Sequence, residues 1–371
     1  MRKRVIGIGF VSVLFLCATA WVCSAQVIGR IEYLEGTVEI VRDGSPLRPI
    51  DIGSAVEHLD QIKTRANSTV CVSFLPSSGL SGQVDLEENT TAVLRSDSGG
   101  MEQVHELQLF TGALGVKVKR LASNKSSFRV RTPTAVLGVR GTEFTVISFN
   151  GAALVACKTG EVRCDPWSSS AVSNGQAAPG DSALPGRLVE VLESQSVKTA
   201  EFPQGEFSSV WKDLRTRWKT FQVELITANP VSFLNSFVPV WERSASQIEA
   251  DAQRLRANSV LEKWLLEAKK GGPKGNRSSW ITERNAVMKD LLAIKPHLTV
   301  GMMSWYRLNE LIPHLSSADM NKKLSNGQTV QAFVNRFTKT ETEVSSAFTL
   351  FYAAEKQYML RNDGLSPFLE F

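Results

Sequence analysis

Close to Ala200 the hydrophobic pattern of this chain changes period, and that change restricts its architecture more than any motif does. Before it, apolar and polar residues alternate in short runs such as "IEYL" at 31–34, "TVEIV" at 37–41, "TVCVSF" at 69–74, "FRVR" at 128–131 and "FTVI" at 144–147, divided by Gly, Pro, Asn and Asp. Period two with β-branched and aromatic residues marks half-buried strands, and many such runs at turn-sized spacing define an all-β domain. After it, Trp211, Leu214, Trp218, Phe221 and Leu225 recur at alternating spacings of three and four, the signature of one helix face. A second helix is expected over 240–268, after Pro239, ending at the Gly- and Lys-rich "KKGGPKGNRSS". Others are expected over 280–294 and 298–315, and the last carries one stripe from Val330 through Phe333, Phe337, Val344, Phe348 and Phe351 to Tyr358. Six tryptophans fall between Trp211 and Trp305, so composition shifts where the period does. The expected fold class is α+β multidomain: an all-β domain over 26–200, irregular and solenoid-like or a sandwich, then an antiparallel helical bundle over 201–371.

Within the β half, "LEGTVEI", "FTGALGV" and "KTGEVRC" share a Gly followed by alternating apolar residues, so Gly36, Gly112 and Gly160 are expected to take positive φ at bends. Their uneven spacing disfavours a strict short-period solenoid.

At the N-terminus Arg2, Lys3 and Arg4 precede an uncharged apolar run to Val22 and then Cys23-Ser24-Ala25. This is the layout of a secretory signal peptide over 1–25, cleaved before Gln26; an uncleaved anchor and a lipoprotein are the alternatives. The expectation is export to the periplasm or envelope of a Gram-negative-type bacterium, with no membrane span in the mature chain. Without the leader the formal net charge of +5 falls to +2, which is no nucleic-acid binder's footprint. Of the cysteines beyond the leader, Cys71 sits in an apolar run as a small hydrophobe, while Cys157 and Cys164 flank a Gly-containing turn and are the disulfide candidates, with two unpaired strand thiols as the alternative. His58, His105, His297 and His314 are too scattered for a zinc site, and no metal or cofactor is expected.

The densest motif is "RVRTPTAVLGVRGTEFTV", starting at Arg129. Phe128 and Val130 alternate with Arg129 and Arg131 on a strand, Thr132-Pro133 interrupts the ladder, and Val139–Val146 resumes it just after the motif residue Gly138. Gly141 admits a bend across which Arg140 and Glu143 could pair, with Thr142 bonding to local backbone and Phe144 returning to the core face.

"TPTAVLGVRGTEFTV", together with "YLEGTVEIVRDG", "KTGEVRC" and "NGQAAPGD", resembles the signature of FecR-type domains over roughly 31–181. The resemblance implies an all-β extracytoplasmic binding domain without catalytic chemistry. In signalling members a cytoplasmic segment that handles a sigma factor precedes the membrane helix; here only Met1–Arg4 precede the apolar run, so a stand-alone exported protein is expected.

Signatures of catalysis are missing: there is no His-Glu-x-x-His, no Gly-x-Ser-x-Gly and no phosphate loop. Asp85, Glu87 and Glu88 lack the spacing of a calcium loop, although a carboxylate pair for glycan cleavage could be assembled from distant segments. Trp211, Trp218, Trp241, Trp264 and Trp305 could line a groove for a peptide or glycan, or form core. The sequence reading is a non-catalytic binding protein for an envelope protein or cell-wall glycan, with a structural scaffold or surface adhesin as the alternative.

Overall fold

The computed structural model describes residues 26–97, 103–119, 126–167 and 179–368; the leader 1–25 and residues 174–178 of the "NGQAAPGD" stretch lie outside them. The strands are β1 (Val27–Glu35), β2 (Val38–Arg42), β3 (Ser45–Pro46), β4 (Ala55–Glu57), β5 (Gln61–Thr64), β6 (Thr69–Phe74), β7 (Gly82–Leu86), β8 (Thr91–Asp97), β9 (Gln103–Val118), β10 (Ser126–Arg131), β11 (Ala135–Val139), β12 (Glu143–Phe149), β13 (Ala152–Thr159), β14 (Val162–Pro166), β15 (Asp181–Ala183), β16 (Arg187–Leu192) and β17 (Val197–Glu201). One sheet runs β4-β1-β6-β7-β9-β12-β13-β16-β17. The other runs β3-β2-β5-β8-β9-β10-β11-β14-β15. All of these pairs are antiparallel except β9 with β10. A single core joins the two layers, with Ile31, Val72 and Val116 from the first facing Ile40, Leu107 and Leu137 of the second.

The layers share β9. Its first half pairs with β8 and β10, its second with β7 and β12, and the chain changes layer at Gly112. Gly112 has φ +99°, and a Cβ there would run into Thr90, whose hydroxyl accepts the Ala113 N–H at 3.0 Å. Gly36 and Gly160 take the positive φ the repeat predicted, +74° and +86°, and they too stand where the chain passes between layers. Gly141 does the same between β11 and β12 at φ +73°. Gly138 is different: a Cβ would meet only Arg163 Cβ at 3.9 Å, so nothing in the structure demands glycine there.

The expected clip between Cys157 and Cys164 is not formed. The turn at Gly160 carries the chain out of one sheet into the other, so β13 and β14 are not hairpin partners, and both thiols are free and buried. Burial pushes Cys157 to about 11 and Cys164 to about 12.

The helices are α1 (Phe207–Ala228), α2 (Pro230–Arg256), α3 (Ser259–Ala268), α4 (Arg277–Leu311), α5 (Ser317–Met320) and α6 (Val330–Leu360). Three expectations change. Pro239 lies inside α2, whose start is fixed by Pro230 at its first turn and by Asn229, which accepts the Ser232 N–H at 3.1 Å. The segment expected to run on to 268 divides at Asn258, which caps α3. Pro296 lies inside α4, joining the two helices expected there, because burial of one continuous face offsets the hydrogen bond a mid-helix proline forfeits. On α1, Trp211 and Leu214 pack on the sheet and Trp218 is partly buried, but Phe221 and Leu225 are 53% and 51% exposed. A strict three-four repeat drifts by about 20° per heptad from the 3.6-residue turn, and Gln222 and Ile226 take the inward positions instead.

No helix among the described residues is long and apolar enough to cross a membrane. The helices make up the C-terminal half as expected, and their core also takes in Leu59, Val93, Phe110 and Phe149 from the strands.

Two outcomes follow. Gly141→Val should lower stability by about 1–2 kcal/mol or more in denaturant titration, because a β-branched residue resists positive φ, whereas Gly138→Ala should stay within about 0.5 kcal/mol. The three described thiols should resist iodoacetamide in the native protein and react together only on unfolding; rapid native labelling of Cys157 or Cys164 would contradict their burial.

Candidate functional site

The seam between strands and helices is built on α6. From Phe351 to Met359 this helix is buried on all sides, although it carries Glu355, Lys356 and Gln357. Each polar group reaches a partner. Arg95 on β8 holds Glu355 through two hydrogen bonds of 2.8 and 3.0 Å, Lys356 Nζ lies 2.8 Å from Glu57, and Gln357 donates to Asp43 at 3.1 Å. His58 Nδ1 accepts the Ser96 N–H at 2.9 Å, so its proton sits on Nε2, 3.2 Å from Met359 Sδ. Burial, with Arg95 and Lys356 nearby, holds this imidazole well below the ordinary histidine range and therefore neutral.

Beside that network the seam opens into a cavity of about 260 Å³. Its β wall carries Glu106, Gln108 and Phe110 of β9 with Arg131 and Pro133; its helical wall carries Met302, Met303 and Tyr306 of α4 with Phe348, Phe351 and Tyr352 of α6. Residues 131–133 of the "RVRTPTAVLGVRGTEFTV" stretch form one edge of it. Thr132 closes a tight turn, its N–H donating to Ala135 O at 2.8 Å and its hydroxyl accepting the Ala135 N–H at 2.9 Å. Thr134 O in the same turn accepts the Trp167 N–H at 2.8 Å, which brings the indole under Arg131, 5.2 Å from guanidinium carbon to ring centre.

Glu106 is nearly fully buried and accepts from Arg129 Nε at 2.5 Å and Arg131 Nε at 3.1 Å. Burial alone would raise its pKa, but Arg131, Arg129 and Arg95 together hold it below the usual carboxylate range. Burial raises both tyrosines of the cavity, and Tyr352 donates to Gln108 at 3.0 Å. A locked carboxylate and neutral phenols provide neither a poised base nor a nucleophile.

A second recess, of about 470 Å³, lies where α1 crosses the outer sheet. Ion pairs line its walls: Lys158 and Lys117 lie 2.7 and 3.8 Å from Glu143, and Arg215 pairs with Glu87. Glu143 is thus held by lysines of β13 and β9. Glu88 accepts the Asn67 N–H at 3.0 Å and Asp85 accepts from Gln83 at 3.3 Å, so the acidic cluster is spread over separate local contacts. Among the described residues no group of metal-ligating side chains comes together.

The sequence-predicted residues divide between these places. Thr132 and Pro133 reach the cavity, Glu143 and Phe144 line the recess, and Arg140 is exposed. Thr142 is buried and its hydroxyl finds no hydrogen-bond partner among the described residues, so the expected bond to local backbone is not made. Trp241, Trp264 and Trp305 are core, Trp218 donates to Glu190 at 2.6 Å, and Trp211, itself buried, borders the recess where α1 meets the sheet, so these five do not converge on one groove. The aromatic residues of the cavity, Trp167 above all, were not singled out from sequence. The available signal was that Trp167 is the one tryptophan beyond the leader and outside the helical half.

Residues 60–163 match the family model described as FecR protein, so the chain carries a FecR-type domain that includes the Thr132–Phe144 motif. Two crystal structures of a candidate anti-sigma factor from Parabacteroides distasonis ATCC 8503 are similar to the chain at 19% and 20% identity, each over 42% of this chain and 72% of that one, with TM-scores of 0.31 and 0.30. No curated protein shows a significant match.

The far end of the seam contains a titrating group. Glu310 of α4 accepts from Thr111 Oγ1 at 3.0 Å and from the Asn150 N–H at 2.7 Å. It keeps some solvent exposure, yet loss of hydration outweighs the pull of Arg307 and places it at about 7. A carboxyl whose folded value lies above its unfolded one stabilises the fold while protonated, and that contribution is lost as pH rises through about 7. Glu310→Gln should therefore gain stability relative to the parent between about pH 5 and 8 in denaturant titrations; a difference independent of pH would show that Glu310 does not titrate there.

Proposed function

We propose that this chain is an exported, non-catalytic regulatory protein of the bacterial envelope, and that it engages a protein partner through the cavity at the seam. The FecR-type domain supports a regulatory and non-enzymatic role, and the leader layout supports export. One observation carries the choice of site: the family motif's own turn positions Arg131 and Trp167 at the mouth of a cavity that the helical half completes. An apolar, partly pre-formed pocket with a few convergent polar groups is where a ligand is expected. The carboxylate and phenols there are fixed by partners or burial, which suits recognition and not bond chemistry.

The test is photo-cross-linking in cells, with a benzophenone amino acid in place of Met303 at the cavity and, as control, in place of Leu225 on the exposed side of α1. A discrete protein adduct at 303, missing at 225 and found in the periplasmic fraction, is expected. Retention of the whole chain in the cytosol, or equal adducts from both positions, would remove the reading.

A further inference from the structure

We propose that the seam cavity receives the C-terminal residue of its partner polypeptide, the aromatic side chain entering the pocket and the α-carboxylate pairing with Arg131. This rests on the binding role above and names the ligand chemistry.

Size comes first. About 260 Å³ lies near the roughly 300 Å³ at which ligand pockets begin, which is ample for one large aromatic side chain. The surface is of matching kind. Phe110 stacks on Tyr306 with centroids 5.6 Å apart, Phe348 meets Phe110 and Tyr352 edge-on at 5.2 and 4.8 Å, and Met302 and Met303 add polarizable walls. Such a set accepts an aromatic ring through edge and face contacts, and a single buried aromatic anchor supplies much of the affinity in many protein interfaces.

Arg131 supplies the second half of the recognition. Its Nε is committed to Glu106 at 3.1 Å and one face of its guanidinium lies over Trp167, while its Nη groups make no hydrogen bond among the described residues. Its side chain is 17% exposed and lines the cavity beside the aromatic and methionine walls. A guanidinium held flat, with its outer fork open, is pre-organised for a planar carboxylate. Glu106 does not repel an incoming anion strongly, because Arg129 shares its charge at 2.5 Å. The other charged groups facing the cavity are Arg95, which holds Glu355, and Lys295, which lies 3.7 Å over the Phe368 ring. An aromatic group one residue's reach from a carboxylate is what a polypeptide ending in Phe, Tyr or Trp presents.

The experiment uses the whole purified chain labelled with ¹³C at the methionine methyl groups, so that Met302 and Met303 report from inside the cavity and the remaining methionines report on folding. The probes are Ala-Ala-Phe with a free carboxylate, the same peptide as its amide, Ala-Ala-Ala and myristate. The free-acid Phe peptide should move the two cavity methyl signals saturably, with the amide at least about tenfold weaker and the other two probes silent. Arg131→Lys keeps the charge but loses the fork, and should bring acid and amide within about threefold of each other. Thr299→Trp should fill the cavity and abolish binding of both peptides while the distant methionine signals stay in place. Equal binding of acid and amide, preference for myristate, or unmoved cavity signals at saturating peptide would overturn the proposal. A cross-link at position 303 in cells would then still stand, so failure of this ligand assignment is separable from failure of the binding role.

Discussion

The structure depends on a helix buried on every side that is not apolar. The final turns of α6 lie between the sandwich and the other helices, and they bring charge with them. Removing a charged group from water costs several kcal/mol unless it is met in full, and removing one partner of a buried pair costs about 3–5 kcal/mol. The Arg95–Glu355 pair and the links from Lys356 and Gln357 to Glu57 and Asp43 therefore do more to fix where the helix docks than to add stability. An apolar helix could slide or rotate against the sheet at small cost. This one has a single position in which every polar group is satisfied, and the cavity beside it inherits that definition.

That arrangement explains why the two halves read as separate domains from sequence and yet share their interior. Periodicity reports which residues face inward on each element, and it located several of the strands, such as those at 69–74 and 128–131, the last helix, and the positive-φ glycines at 36, 112 and 160. It does not report what an element faces. Phe110 and Phe149 fit the alternation of a strand whether their side chains meet the other sheet or a helix, and they meet helices. Proline misled for a related reason: Pro239 and Pro296 are stop signals when local chemistry is weighed alone, and long helices packed along their length override them.

The site was legible only in part. The motif drew notice as a run of residues, and the reason for its Thr132, the closure of a turn that also seats Trp167, exists only once residues far apart in the chain are brought together. Sequence logic placed Arg140 opposite Glu143 because they are near neighbours across a bend, whereas the sheet gives Glu143 to Lys158. The tryptophans raised expectation by their number, and most of that number is core. A tight spacing of two cysteines suggested a bond across a hairpin; the glycine between them directs the strands into different layers instead.

The strand common to both layers has a consequence of its own. In a sandwich of separate sheets, a slip by one residue inverts the faces of one layer and can be repaired there. Here β9 is hydrogen-bonded in both, so a slip anywhere along it would turn both layers inside out together, and would also move Glu106, Gln108 and Phe110 off the cavity wall. The bend at Gly112 anchors the strand against such movement, as a kink in a rod prevents it from being drawn through a sleeve. Alignment of the two layers and geometry of the cavity wall are thus the same degree of freedom, set once at Gly112.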